Sequence, residues 1–165
     1  MKLSSSGIID GIIQDKYGKR GTQFNKAKMA TYSIPLKIEE APEKTVSYVV
    51  VLDDKDSVPV CGFVWIHWLV ADLTRNELKE NESISATDFV QGATSWYARG
   101  GGLSALESSL YGGMAPPNEP HTYEIHVYAL DTKLNLKPGF FLNELYKAMD
   151  GHILDTATLK GIYNN

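Results

Sequence analysis

Four stretches of the 165-residue chain set polar, chemistry-bearing side chains beside strongly apolar ones. Asp53-Asp54-Lys55-Asp56 follows the apolar run Val46–Leu52. His67 stands between Ile66 and Trp68. Gly112-Gly113-Met114-Ala115-Pro116-Pro117 leads into His121 and Tyr123, and Gly151-His152 follows an amphipathic stretch. A carboxylate at a strand's end, such as Asp54, can hold an imidazole in one tautomer or favour its protonated form. The same Asp can equally be a turn or cap residue. His67, among tryptophans, must bond its ring nitrogens to something: a backbone or buried carboxylate partner in a core, or a ligand in a pocket. His121 and Tyr123 share parity, so on a strand both face one side; the alternative is a strand start with both at the surface. Glycines at 112 and 113 would let a ligand approach the backbone. Pro116-Pro117 restricts the chain and is a candidate for a cis bond. His152 reads as a surface residue just past a helix end.

Several other chemistries are poorly served. Asp54, His67 and His121 match a two-histidine, one-carboxylate metal triad by type. Their separation in sequence gives no support, and the chain has no H-x-H or H-E-x-x-H. No metal or other cofactor is therefore expected. Gly102-Leu-Ser104-Ala-Leu106 lacks the second glycine of G-x-S-x-G. Arg99-Gly-Gly-Gly102 has no following Lys-Ser/Thr, so it is a loop rather than a phosphate cradle. Cys61 precedes Gly62 with no cue for a low thiol pKa and reads as a buried or incidental thiol.

Composition narrows the classes further. Sixteen Lys and Arg against twenty Asp and Glu leave a net charge of −4, a poor match to a general nucleic-acid binder. The single cysteine excludes an intrachain disulfide and a cysteine-built structural zinc site. Asp10, Gln14 and Asp15 interrupt the N-terminal segment before a signal-peptide run develops. No stretch approaches the roughly 18 apolar residues of a membrane span. The expectation is a cytoplasmic protein with no transmembrane segment. The length fits one domain over residues 1–165 with a self-sufficient core.

The elements that must position the polar groups are mostly strands. Val46–Leu52 is β-branched and nearly all apolar, as in a strand buried on both faces. Phe63–Leu73 is similar; counting by two puts Trp65, His67 and Leu69 on one face and Ile66, Trp68 and Val70 on the other. Tyr123–Leu130 alternates clearly. Ile34–Ile38 is a fourth candidate, with Pro35 at an edge or a strand start. Thr74-Arg-Asn-Glu77 fits a capping box opening a short helix. Phe141–Met149 has helical apolar spacing, to cover a sheet or form a homodimer contact. A further turn or helix is expected through Leu154–Leu159. Strands in the middle and helix at the end suggest a mostly β domain with peripheral helices.

Taken together, the four stretches resemble the phosphatidylethanolamine-binding protein family, and within it the bacterial and archaeal Raf-kinase-inhibitor-like branch. Asp54-Lys-Asp56-Ser57 matches the D-P-D-A-P signature imperfectly. Trp65-Ile-His67-Trp68-Leu69-Val70 matches W-x-H-W-L-V. Tyr111–Pro117, His121-Thr-Tyr123 and Val127–Asp131 match the G-P-x-P-P…H-R-Y…Y-A-L-D region, and Gly151–Tyr163 the C-terminal signature of the prokaryotic members. The resemblance covers roughly residues 30–163 and implies a Greek-key β-sandwich with short peripheral helices. It also implies a pocket for phosphate or phosphorylated ligands at Asp54, His67, Pro117, His121 and Tyr123. Relatives in eukaryotes modulate kinase pathways, so a protein partner and a kinase- or protease-inhibitor-like role are implied too. Lys55, Ser57 and Met114 depart from the signatures. Thr122 replaces an arginine, removing a positive charge beside the pocket unless Arg99 or Lys55 supplies it.

The residues themselves fit a binding pocket better than a catalytic one. His67 and His121 would offer N–H donors and Tyr123 a hydroxyl. Asp54 would accept from one histidine and keep its outward nitrogen protonated. The competing class is a hydrolase using the Asp/His/His group for acid–base or metal-dependent chemistry, which lacks an evident nucleophile.

Overall fold

The computed structural model describes residues 1–97 and 101–165; the part of the Arg99–Gly102 loop that includes Arg99 lies outside them. In chain order the elements are β1 (Lys2–Ser4), β2 (Ile8–Ile9), β3 (Ile12–Ile13), β4 (Leu36–Glu39), β5 (Ser47–Asp54), α1 (Val58–Cys61), β6 (Trp65–Leu73), β7 (Glu77–Leu78), β8 (Val90–Gln91), β9 (His121–Leu130), α2 (Leu142–Met149) and β10 (Ile153–Tyr163). They form a three-stranded sheet, β1-β4-β7, and a seven-stranded sheet, β2-β3-β10-β9-β5-β6-β8. Within the larger sheet β9-β5-β6-β8 is antiparallel throughout. That is the spatial order of a Greek key, the fourth strand returning beside the first. The fold is the expected mostly β sandwich with short helices.

The large sheet is buried on both faces at its centre, which explains why β5 and β6 read as continuous apolar runs. Its inner face carries Val50, Leu52, Trp68, Val70, Ile125 and Val127, packed against Ile34, Leu36, Ile38 and Leu78 of the smaller layer. Its outer face carries Val49, Val51, Leu69 and Ala71, covered by Phe140, Leu145 and Met149. Helix α2 therefore serves as a lid on the sheet. Its fully buried Leu145 and Met149 each contribute about 1.5–3 kcal/mol of burial, and Glu144 accepts the Phe141 N–H at 2.8 Å to close its first turn. No helix among the described residues is long and apolar enough to cross a membrane.

Two expected helical segments are strands. Leu154–Leu159 belongs to β10, which pairs with β9 from end to end. Asp155, Ala157 and Leu159 are half-buried while Thr156 and Thr158 are exposed, an alternation with period two that β-branched threonines favour. The Thr74–Glu77 box opens no helix. Leu78 instead pairs with Leu36 in the smaller sheet and is fully buried, and Arg75 turns to Glu82 and Asp88. Burial of Leu78 outweighs one capping turn. Strand β5 also runs further than its apolar stretch, so Asp53 and Asp54 end the strand instead of following it.

One irregularity matters for the site. Leu52 pairs with Trp68, but Asp53 pairs with Ile66, leaving His67 as an extra residue on β6. This is a β-bulge, which re-aims side chains. Trp65 stands opposite Asp54, and Trp68 opposite the inward-facing Leu52. Trp65, His67 and Trp68 therefore share the inner face, whereas an unbroken alternation would turn His67 with Leu69 toward α2.

Candidate functional site

Three strand ends meet at one corner of the sandwich. Asp54 closes β5, Trp65 opens β6 and His121 opens β9. Asp54 lies opposite both Trp65 and Tyr123, so the three side chains share one face. A cavity of about 200 Å³ opens there, and Asp54, His67, Pro117, His121 and Tyr123 all line it. The five residues expected from the sequence are thus brought together. Trp65, Trp96, Ser57, Cys61 and Gly113 line it as well. The space suits a small molecule, below the usual range for drug-sized ligands.

Asp54 fills both roles that the sequence left open. Its Oδ1 accepts the Ser57 N–H at 3.0 Å, bracing the turn, and its Oδ2 accepts from His121 Nδ1 at 2.8 Å. The pair is almost fully buried, so each partner depends on the other to compensate its desolvation. A carboxylate that accepts from Nδ1–H orients the ring. The other nitrogen, Nε2, is 3.1 Å from the Asn118 side-chain amide oxygen. His121 therefore presents no free N–H, contrary to the donor expected from sequence; a ligand reaching its Nε2 has to move the exposed Asn118.

His67 also departs from the expected donor. Its Nδ1 lies 2.6 Å from the Gly112 carbonyl oxygen. A carbonyl only accepts, so Nδ1 carries the proton, and Nε2 of the neutral ring is an acceptor. Burial pushes the His67 pKa down, against upward pulls from the Gly112 carbonyl and the Asp54 charge. The ring is thus held neutral, edge-on to Tyr123 at 5.2 Å between centroids.

Donors come from two residues without protein partners. The Tyr123 hydroxyl is buried and unbonded on a residue with 0% exposure. Burial, and then the Asp54 charge, push its pKa well up, so it keeps its proton. Trp96 Nε1–H is likewise buried and unbonded. Trp96 stands edge-on to Trp65 at 6.0 Å and explains Gly112: a Cβ there would come within 2.8 Å of its indole. The glycine serves close packing of the pocket wall, not the approach of a ligand. No motif pointed to Trp96, whose position on the 3₁₀ turn Ser95–Tyr97 only the fold brings to the corner.

Other expectations are revised. The peptide bonds of the described residues, Pro116-Pro117 included, are trans. Met114 is a core residue, fully buried, with Tyr111 Oη donating to its sulfur. Thr122 has the opposite strand parity to Tyr123, so the arginine it replaces would lie on the outer face. Lys55 pairs with Glu124 and does not enter the cavity, which no Lys or Arg lines among the described residues. Cys61 is exposed at the rim rather than buried. The metal-like group among the described residues is not Asp54, His67 and His121 but Asp53, Glu124 and His126 on the outer face. There Lys55 and Lys160 already neutralise Glu124, holding its carboxyl down at about 2. His152 is a surface residue bonded to Asp131 at 2.9 Å.

Fold and site together define a β-sandwich protein with an aromatic, histidine-lined pocket at one end. The family model for phosphatidylethanolamine-binding protein matches residues 4–164. The Bacillus subtilis protein YxkA is 36% identical over 153 residues, covering 90% of this chain and 91% of its own. A Pyrococcus horikoshii protein is 34% identical, covering 99% of this chain and 76% of its own. Among solved structures, the Chlamydia trachomatis phosphatidylethanolamine-binding protein homologue CT736 superposes with a TM-score of 0.79 at 31% identity, covering 99% and 96% of the two chains. Escherichia coli YbcL shares the fold, with a TM-score of 0.77 at 21% identity and coverage of 99% and 98%. The chain belongs to the phosphatidylethanolamine-binding protein family.

Proposed function

We propose that the protein binds a small anionic or phosphorylated ligand in the corner pocket, with Asp54, His67, Pro117, His121 and Tyr123 as its site. The observation that carries this reading is the pair of buried donors without acceptors, Tyr123 Oη–H and Trp96 Nε1–H. Buried polar groups are almost always bonded, and each one left unmade costs about 1–3 kcal/mol. Both belong to residues that line one cavity, which favours a ligand rich in acceptors. Asp54 and Asn118 hold His121 at the wall, and Trp65 and Trp96 keep the space partly dry, where hydrogen bonds to an anion are strongest.

Binding is favoured over catalysis. Ser57 Oγ is occupied by the Asp54 and Phe63 carbonyls and the Trp65 N–H. Cys61 Sγ rests on the Ser57 and Phe63 carbonyls at 3.3 Å. Neither is paired with a base, so the hydrolase alternative gains no support from the geometry. A regulatory role through a protein partner has one observation in its favour. Val58, Val60, Phe63 and Val64, at the rim, are each 38–46% exposed on a stretch without charge.

Calorimetric titration of inorganic phosphate tests the reading. Wild type is expected to bind, and His121→Ala, which leaves the buried Asp54 carboxylate unpaired beside the anion, to bind at least about tenfold more weakly, with its fold checked by circular dichroism. Equal affinity in a folded variant would exclude this site.

A further inference from the structure

We infer that the pocket selects an oxyanion that brings its own O–H, such as hydrogen phosphate, over a proton-free oxyanion of the same shape, such as sulfate. The inference rests on the anion-pocket reading above and specifies the ligand's protonation state. It follows from which atoms the pocket leaves unbonded. Tyr123 Oη and Trp96 Nε1 are donors and ask for bare oxygens. His67 is different in kind. Its Nδ1 proton is committed to the Gly112 carbonyl at 2.6 Å, and its Nε2 makes no hydrogen bond among the described residues. In the neutral ring that atom is a lone pair at the pocket wall. A proton-free oxyanion would set a second lone pair against it; an O–H on the ligand turns the same contact into a hydrogen bond.

The surroundings oppose the other solution, in which His67 takes a proton from water. Its ring is 4% exposed, and burial lowers its pKa. The charged and titratable groups around it are Asp54 and Asp53 from β5 and His121 and Tyr123 from β9. The pulls toward protonation are the Gly112 carbonyl, which the Nδ1 proton already satisfies, and then the Asp54 charge, which is already shared with His121 at 2.8 Å and with the Ser57 N–H at 3.0 Å. No Lys or Arg lines the cavity among the described residues, so recognition of the anion falls to hydrogen-bonding groups rather than to a fixed cationic side chain. A ligand that carries acceptor oxygens and one acidic hydrogen satisfies the two donors and the acceptor together.

The test compares phosphate with sulfate by titration calorimetry on the full chain, on the alkaline side of the ordinary histidine pKa of about 6.5. Sulfate carries no proton there; inorganic phosphate keeps at least one. The expected result is phosphate bound at least about tenfold more tightly than sulfate, the scale of one charge-assisted hydrogen bond. Nitrogen-15 spectra of the phosphate complex should also show His67 Nε2 as an unprotonated, hydrogen-bonded nitrogen. Equal affinities, or an imidazolium signal from His67, would overturn the inference and leave the anion-pocket reading standing. Binding of neither ion would overturn that reading, and the inference with it.

Discussion

Tyr123→Phe should move affinity and stability in opposite directions. The substitution deletes one oxygen from a ring that otherwise stays packed between His67 at 5.2 Å and Tyr163 at 6.5 Å, so no cavity of consequence is made. In the ligand-free protein the hydroxyl is buried without a partner. The Asp54 carboxylate and the Ala115 backbone stand close, but neither is in hydrogen-bonding geometry. An unmade buried hydrogen bond costs about 1–3 kcal/mol. Its removal should stabilise the free protein by up to that amount, discounted for whatever water enters the pocket. For a chain of this size each kcal/mol moves Tm by about 2–4 °C, so a rise of a few degrees is expected. Phosphate binding loses one charge-assisted bond, about 1.5–3 kcal/mol, or roughly ten- to a hundredfold in Kd. Thermal melts with and without phosphate read both effects in one experiment. Wild type should gain from phosphate, and the variant should start higher and gain less. A variant that melts lower without ligand would mean that the hydroxyl already has a protein partner. The reasoning from unmade bonds would then be wrong.

Three further outcomes follow from the packing and the charges. Leu145→Ala, under the α2 lid, should cost about 2–5 kcal/mol in a denaturant titration, with phosphate affinity unchanged because the pocket lies on the other face of the sheet. His67 has a lowered pKa in the folded protein, so it contributes stability that is complete above the unfolded value of about 6.5 and is lost as pH falls through its folded pKa. Melting midpoints should fall on acidification from about pH 7 toward 5, and His67→Gln, if it folds, should flatten that slope. Glu124 titrates lower, at about 2, because Lys55 and Lys160 bond it. Its share of stability is present above about pH 4.5 and is lost toward pH 2, so Glu124→Gln should remove part of the acid sensitivity below about pH 4.5 and none above it.

The legible parts of the molecule were those with local periodicity. Strand β5 and the core of β6 are long β-branched and aromatic runs, and β9 alternates, so their existence and the shared face of His121 and Tyr123 followed from counting by two. The bulge at His67 did not, because one residue inserted in a register leaves the composition of the strand unchanged while turning a side chain over. Leu154–Leu159 was misleading for a different reason. Its inner positions, Asp155, Ala157 and Leu159, are only half-buried, so the alternation carries little hydrophobic contrast, and pairing with β9 decides the strand. Trp96 was invisible as a site residue because it belongs to no motif and reaches the corner through a turn. The direction of the histidine protons was also beyond reach: it depends on the Gly112 carbonyl and Asn118, whose placement is a property of the loops. The five residues of the resemblance converged because three strand ends share one corner, which is a property of the fold.

The central claim is that an anion is seated in this corner. A crystal structure of the protein grown with phosphate tests it most directly. The account predicts a phosphate within about 2.6–3.2 Å of Tyr123 Oη, Trp96 Nε1 and His67 Nε2. A phosphate found only on outer-face lysines such as Lys55 and Lys160, with the corner holding nothing but water, would contradict it.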